Sequence, residues 1–112
     1  MGKFVKGDVV VLPFPFSDLT STKPRPALVL AVPEDDEIIV CQITSQTTRP
    51  GYTVTLTRGD FVMGGLDKDI CYIRPNHIFL FDPKIVTRLA GKICPEKIDE
   101  VIQVAIEILK NR

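Results

Sequence analysis

The sequence predicts a mainly β protein of the α+β class, a small closed or nearly closed β-barrel with a C-terminal α-helix. Three observations carry this expectation. Short runs rich in Val, Ile and Thr recur from Asp8 to Ile93, separated by Pro, Gly and acidic turns. Only one stretch, Pro95 to Lys110, keeps apolar residues at helical spacing over several turns. The chain has no internal repeat, and at 112 residues it is the size of one domain, residues 1–112, able to bury a core without staples. Many short strands with a single terminal helix pack most economically as a barrel.

Each element follows from local chemistry. Asp8 to Phe14 reads as the first strand, ended by Pro13 and Pro15, which cannot donate to a ladder. Phe16 to Arg25 is a loop long enough to expect a role beyond connection. Pro26 to Val32 is the second strand, and Pro33-Glu34-Asp35-Asp36-Glu37 an acidic, solvated hairpin tip. Ile38 to Ile43 is the third strand, fraying into Thr44 to Thr48. Arg49-Pro50-Gly51 turns the chain, and Tyr52 to Thr57 alternates Thr with apolar residues as a half-exposed strand does. Arg58-Gly59-Asp60 and Gly64-Gly65 read as turns, the former as turn chemistry rather than an adhesion signal. Asp69 to Arg74 and His77 to Phe81 are two further strands separated by Pro75-Asn76. Asp82-Pro83-Lys84 leads to Ile85 to Leu89, and Gly91-Lys92-Ile93 is a brief extended piece. In the helix, Pro95 suits the first position and Glu96 the positive end of the dipole. Ile98, Val101, Ile102, Ala105, Ile106 and Leu109 form its apolar stripe, and Val104 and Ile108 widen it enough to suggest a second contact surface.

Composition narrows the function. Fourteen Lys and Arg balance fourteen Asp and Glu, for a formal net charge of zero. A protein that coats nucleic acid indiscriminately needs a broad cationic surface and is excluded, whereas a small basic groove for a short single strand is not. No apolar run approaches a membrane span, and Met1 to Lys6 lacks the apolar region of a signal peptide, so a cytoplasmic protein is expected. The three cysteines, Cys41, Cys71 and Cys94, form neither a close pair nor a zinc spacing and read as small buried hydrophobes. There is no phosphate-cradling glycine loop, no Ser-His-Asp order and no metal-ligand cluster, so no cofactor or metal is expected. His77 is the sole histidine, which rules out a histidine-pair mechanism within one chain.

One stretch stands apart. Pro24 and Pro26 flank Arg25 immediately before the apolar run Ala27 to Ala31. Each proline fixes its own φ and holds the preceding residue extended, so the Arg25 guanidinium is presented from a stiffened backbone at a strand mouth. Such a group suits repeated, bidentate contact with a phosphate. The plain alternative is an arginine bridging the loop to a surface carboxylate.

Gly7-Asp8-Val9-Val10 followed by Lys23-Pro24-Arg25-Pro26-Ala27-Leu28-Val29-Leu30 resembles the N-terminal signature of the MazF/PemK toxins. Cys41-Gln42-Ile43-Thr44-Ser45-Gln46 is similar to that family's second signature, and Tyr72 to Asp82 and the closing helix follow in the family's order. The resemblance covers nearly the whole chain. It implies an SH3-like β-barrel and a metal-independent, sequence-specific endoribonuclease that cleaves single-stranded RNA as the toxin of a type II toxin–antitoxin pair. It also implies a homodimer and a cognate antitoxin protein whose disordered segment blocks the RNA groove.

Carried over residue by residue, the family's cleavage residues fall on Arg25 and Thr44, and a further arginine on Arg74. The acidic position near that arginine is Asn76 here, which cannot act as a base, and the loop glutamate of some members meets Thr20 or Ser21. Asp18 and His77 are then the candidates for proton transfer. Phe16 can stack a base, Lys23 can meet phosphate, and Ser45 and Gln46 can donate hydrogen bonds or read a base edge. Taken singly, Thr44 is an ordinary strand-end threonine and His77 a structural histidine; the motifs lift them. RNA supplies its own nucleophile, the 2′-OH, so the protein need only splay the strand and stabilise the phosphorane. Two other readings remain compatible with these residues: a gyrase-binding toxin on the same barrel, and an inactive barrel that only binds RNA or peptide.

Overall fold

The computed structural model describes residues 3–14, 23–46 and 53–112. Among the described residues seven strands are formed: β1 (Asp8–Pro13), β2 (Pro24–Glu34), β3 (Glu37–Thr44), β4 (Val54–Thr57), β5 (Phe61–Gly64), β6 (Ile70–Phe81) and β7 (Arg88–Ile93). They join in one antiparallel sheet of order β4-β6-β3-β2-β1-β7-β5, curled into a nearly closed barrel. One helix, α1 (Pro95–Asn111), follows.

The four central strands are apolar on both faces, and each face has its own core. One core joins Val9, Leu28, Cys41, Ile43, Leu56 and Ile73 to Ile98 and Val101 of α1. The other gathers Val10, Leu12, Phe14, Ala27, Val29 and Val40 under Phe79, Phe81 and Val86. Phe14 meets Phe79 and Phe81 edge-on, each with ring centroids 5.6 Å apart. Fully burying each of these aliphatic or aromatic side chains contributes roughly 1.5–3 kcal/mol, so β1, β2 and β3 are the stable centre. Helix α1 buries Ile98, Val101 and Ala105, while Ile106 and Leu109 stay 40% and 75% exposed. The wide stripe expected from the sequence is thus only half used within one chain.

The Gly7-Asp8 pair has a structural role. Gly7 has φ +96° and ties three segments: its N–H donates to Val29 O at 2.9 Å and its carbonyl accepts from Ile93 N at 3.0 Å. Asp8 is the only charged residue among the buried ones described, at 4% exposure. Its Oδ1 lies 2.9 Å from Lys92 Nζ and its Oδ2 accepts from Val5 N at 2.9 Å. Desolvation offsets most of such a pair's attraction, so its main effect is to fix where β1 starts.

One sequence expectation needs correction. The strands expected at Asp69–Arg74 and His77–Phe81 are one strand, β6, with an irregular insertion. Cys41 of β3 faces Ile78 while the next residue, Gln42, faces Arg74, so Pro75, Asn76 and His77 are looped out of register. Pro75 has no N–H to give the ladder, and the break is absorbed as a bulge rather than a strand end. Between the two turns expected at Arg58-Gly59-Asp60 and Gly64-Gly65 lies β5, for which the sequence offered no assignment, paired to β7 through Phe61–Ile93 and Gly64–Gly91. The turn expected at Asp82-Pro83-Lys84 is present: Pro83–Ile85 is a 3₁₀ turn capped by Asp82, whose carboxylate accepts from Lys84 N at 2.9 Å, and β7 begins at Arg88. Arg58–Asp60 is likewise a 3₁₀ turn, closed by Thr57 and Asp60. Phe16, Asp18, Thr20, Ser21 and the Arg49-Pro50-Gly51 turn lie outside the described residues.

Cys41 and Cys71 are buried and Cys94 partly so, all three unbridged. Burial pushes the Cys41 thiol up to about 12, so it stays protonated and inert. At the bulge, burial and then the neighbouring Arg74 charge hold His77 below its ordinary 6.5, so it is neutral at neutral pH. No described helix is long and apolar enough to cross a membrane.

Two stability experiments follow. Gly64 has φ +66°, and a Cβ there would collide with the Ala90 carbonyl oxygen, whereas a Cβ on Gly65 meets nothing within 4 Å. Gly64→Ala is expected to lower stability by at least about 1–2 kcal/mol, the cost of left-handed backbone at a residue with a Cβ, and Gly65→Ala to change it little; urea midpoints measure both. For His77 the unfolded chain takes up the proton before the folded one. Stability tied to neutral His77 is therefore complete above pH 6.5 and lost as pH falls through the window below it. The urea midpoint should drop on mild acidification, and His77→Gln should flatten that drop.

Candidate functional site

The site is positioned by the pairing of β2 with β3. Ala27 faces Gln42, Leu28 faces Cys41 and Val29 faces Val40. Carried on by two residues from Ala27–Gln42, this register sets Arg25 against Thr44. On the far side of each strand, Arg25 faces Leu12 of β1, Thr44 faces Tyr72 of β6, and Gln42 faces Arg74. Arg25, Thr44 and Tyr72 therefore form one row across the sheet, and Gln42 and Arg74 the next.

Arg25 and Thr44 also line the same cleft, of about 490 Å³. Val11, Pro26, Ile43 and Cys71 give it an apolar lining. Thr44, Ser45 and Arg25 bound it from β2 and β3, and Lys68 and Arg88 bring further charge from the β5–β6 connection and the start of β7. Arg25 has no ion pair or hydrogen bond to another described residue. Thr44 Oγ1 accepts from Gln46 N at 3.2 Å. That bond occupies a lone pair and leaves the hydroxyl proton free to donate outward. Gln46 thus acts through its backbone on Thr44, with its own side chain exposed.

The other expected residues divide. Ser45 is exposed on the cleft, and Lys23 is exposed one residue before β2. Arg74 lies one row from Thr44, half-buried; its Nε is buried without a hydrogen-bond partner, a donor held in reserve. His77 sits in the bulge against Arg74 and Phe79, ring centroids 6.5 Å from the latter, and does not line the cleft. Phe16 and Asp18 lie outside the described residues. Sequence reasoning missed Tyr72, Lys68 and Arg88. Tyr72 was within reach, as the strand partner of Thr44; Lys68 and Arg88 depend on long-range pairing that no local pattern announces.

Cys71 is no nucleophile in this cleft: burial raises its thiol, and the nearby Lys68 charge only partly offsets that. Among the described residues no three His, Cys, Asp or Glu converge to hold a metal. A larger hollow, about 950 Å³, opens elsewhere between the N-terminal segment, the β2–β3 turn and the Pro83–Ile85 turn. Its lining carries three lysines and three aspartates, and Lys3 is paired with Asp35 at 3.3 Å. Its charges match in number and it holds none of the expected residues, so the smaller cleft is the candidate site.

Comparison with known proteins bears on this geometry. A crystal structure of MazF from Deinococcus radiodurans superposes with a TM-score of 0.76 at 20% identity, over 97% of this chain and 98% of that one. The MazE-MazF complex from the same organism gives 0.71 at 20% identity, over 98% of each chain. An endoribonuclease from a mycobacterial species gives 0.68 at 15% identity, over 97% of this chain and 93% of that one. At such identities these likenesses establish the fold. A search among curated protein sequences returned no significant match. The family model of the PemK-like, MazF-like toxins matches residues 5–109, nearly the whole barrel and helix, and the chain belongs to that family of toxins of type II toxin–antitoxin systems.

Proposed function

We propose that the protein is an endoribonuclease that cleaves single-stranded RNA at the Arg25–Thr44 cleft. One observation carries the reading: the Arg25 guanidinium, with no ion pair to another described residue, and the Thr44 hydroxyl line one cleft at the ends of β2 and β3. Family membership and the fold likeness to an endoribonuclease support it.

The chemistry suited to these groups is transesterification. The RNA 2′-oxygen forms a bond to the adjacent phosphorus and gives up its proton; the bond from phosphorus to the 5′-oxygen breaks, and that oxygen is protonated. The products are a 2′,3′-cyclic phosphate and a 5′-hydroxyl. Arg25 stabilises charge on two phosphorane oxygens at once, and Thr44 donates to one of them. Arg74, one row from Thr44, adds a second cationic side chain to this reading through its match to the family's further arginine. Ser45 and Gln46 at the β3 end and Lys23 before β2 extend the contact surface. Nothing in this scheme requires a metal.

A homodimer and a cognate antitoxin complete the reading. Ile78 and Leu80 of β6 and Ile106 and Leu109 of α1 leave apolar surface for a second copy. The solved relatives include toxins bound to their antitoxins, from Deinococcus radiodurans and from a mycobacterial species.

Purified protein incubated with single-stranded RNA in EDTA should yield fragments ending in 2′,3′-cyclic phosphate and beginning with 5′-hydroxyl. Arg25→Ala should lower the cleavage rate by about 10²–10³-fold, the range seen when a transition-state donor is removed, with the fold intact by circular dichroism. Thr44→Val, which keeps the branched shape and removes the hydroxyl, should lower it less but clearly. Undiminished cleavage by Arg25→Ala, or 3′-hydroxyl fragment ends, would refute the mechanism.

A further inference from the structure

From the distribution of charge we infer that Lys68 and Arg88 form a second phosphate-contacting wall in the cleft, holding the RNA backbone beside the phosphate that Arg25 addresses. The inference rests on the proposed RNA-cleaving function and adds residues to it.

The chain as a whole is neutral, with fourteen cations and fourteen anions. The cleft is not: Arg25, Lys68 and Arg88 line it against a single carboxylate, Asp67. None of the three cations has an ion pair with a described residue, whereas Lys92 and Lys97 are paired to Asp8, Asp60 and Glu100. Like charges gathered around a concave surface repel one another when it is empty and raise the local concentration of an anion. An arrangement of this kind fits a polyanion that threads the cleft.

Both side chains rest on braced backbone. Lys68 lies in the connection from β5 to β6. At one end, Gly65 N donates to Ala90 O at 3.1 Å and Gly64 packs directly on β7. At the other, Arg58 Nε donates to Asp69 Oδ1 at 2.6 Å and Arg58 Nη2 to Asp67 O at 3.3 Å. The Arg58 bonds engage one oxygen of the Asp69 carboxylate. Lys68 faces Cys71 closely enough to draw its thiol down against the effect of burial. Arg88 opens β7, opposite Val11, and Thr87 just before it is clamped to Val11 O by its N–H at 2.8 Å and its Oγ1 at 2.9 Å. Val11 also faces Pro26, so Arg88 is held two strands away from the Arg25 segment. That spread suits successive phosphates of one strand rather than a single anion.

The test uses the full chain and a random-sequence 2′-O-methyl RNA oligonucleotide, which lacks the attacking hydroxyl and is not cut. Binding is followed by fluorescence anisotropy over a series of salt concentrations. Lys68→Gln and Arg88→Gln should each weaken binding about threefold to fivefold at low salt, the upper range for an exposed ion contact. Each should also make the slope of log affinity against log salt shallower by about 0.7, the value per neutralised phosphate of a single strand. Lys110→Gln, at the far end of α1, serves as the charge control and should change neither. If the Lys68 and Arg88 variants bind with the wild-type slope while wild type still cleaves RNA through Arg25, this inference fails alone. If Arg25→Ala cleaves as well as wild type, the proposed function fails whatever the slopes.

Discussion

The register between β2 and β3 is the constraint on which the site depends. Val29 and Val40 face each other fully buried at the centre of the sheet, and Ala27 pairs with Gln42 on the way to the strand ends. Moving β3 by a single residue would set Pro24 or Pro26, rather than Arg25, against Thr44 and reverse the face that each side chain occupies. The register is held from outside as well: Gly7 bonds to Val29 O, and the Asp8–Lys92 pair fixes the start of β1 beside it. The residues that tie the N-terminus down and those that face the cleft therefore belong to one mechanical unit.

Rigidity at the centre permits charge at the end. Three cations with no ion pair among the described residues share one cleft in a chain with no net charge, and their mutual repulsion is relieved when an anion arrives. The strands and turns that present them take their stability elsewhere, from two apolar cores on opposite faces of the sheet. The larger hollow makes the contrast plain, since its lysines and aspartates match in number. Size distinguishes one hollow, and an excess of positive charge distinguishes the other.

Much of this was legible in the sequence, for identifiable reasons. The helix declared itself by spacing, and the strand cores by β-branched runs, because both signals are local. Arg25 was marked by its prolines and Thr44 by its motif, but their opposition was not readable, because register is decided by packing across strands. Pro75 misled: it ends a strand by the local rule, yet Arg74 and Ile78 both stay paired to β3 around a bulge. Strand β5 was invisible because Phe61–Gly64 is held by β7, some thirty residues on, and by the close approach of Gly64 to Gly91. Lys68 and Arg88 were hidden for the same reason, being ordinary surface cations until the fold brings them to the cleft.

The central claim is that Arg25 and Thr44 act on one phosphate, and a double-mutant cycle on the cleavage rate tests it most directly. Arg25→Ala, Thr44→Val and the combined variant would be compared with wild type under single-turnover conditions. Shared action predicts that the second substitution costs far less once the first is made, with a coupling of at least about 1 kcal/mol. Fully additive losses would mean that the two side chains work independently, and would contradict the account.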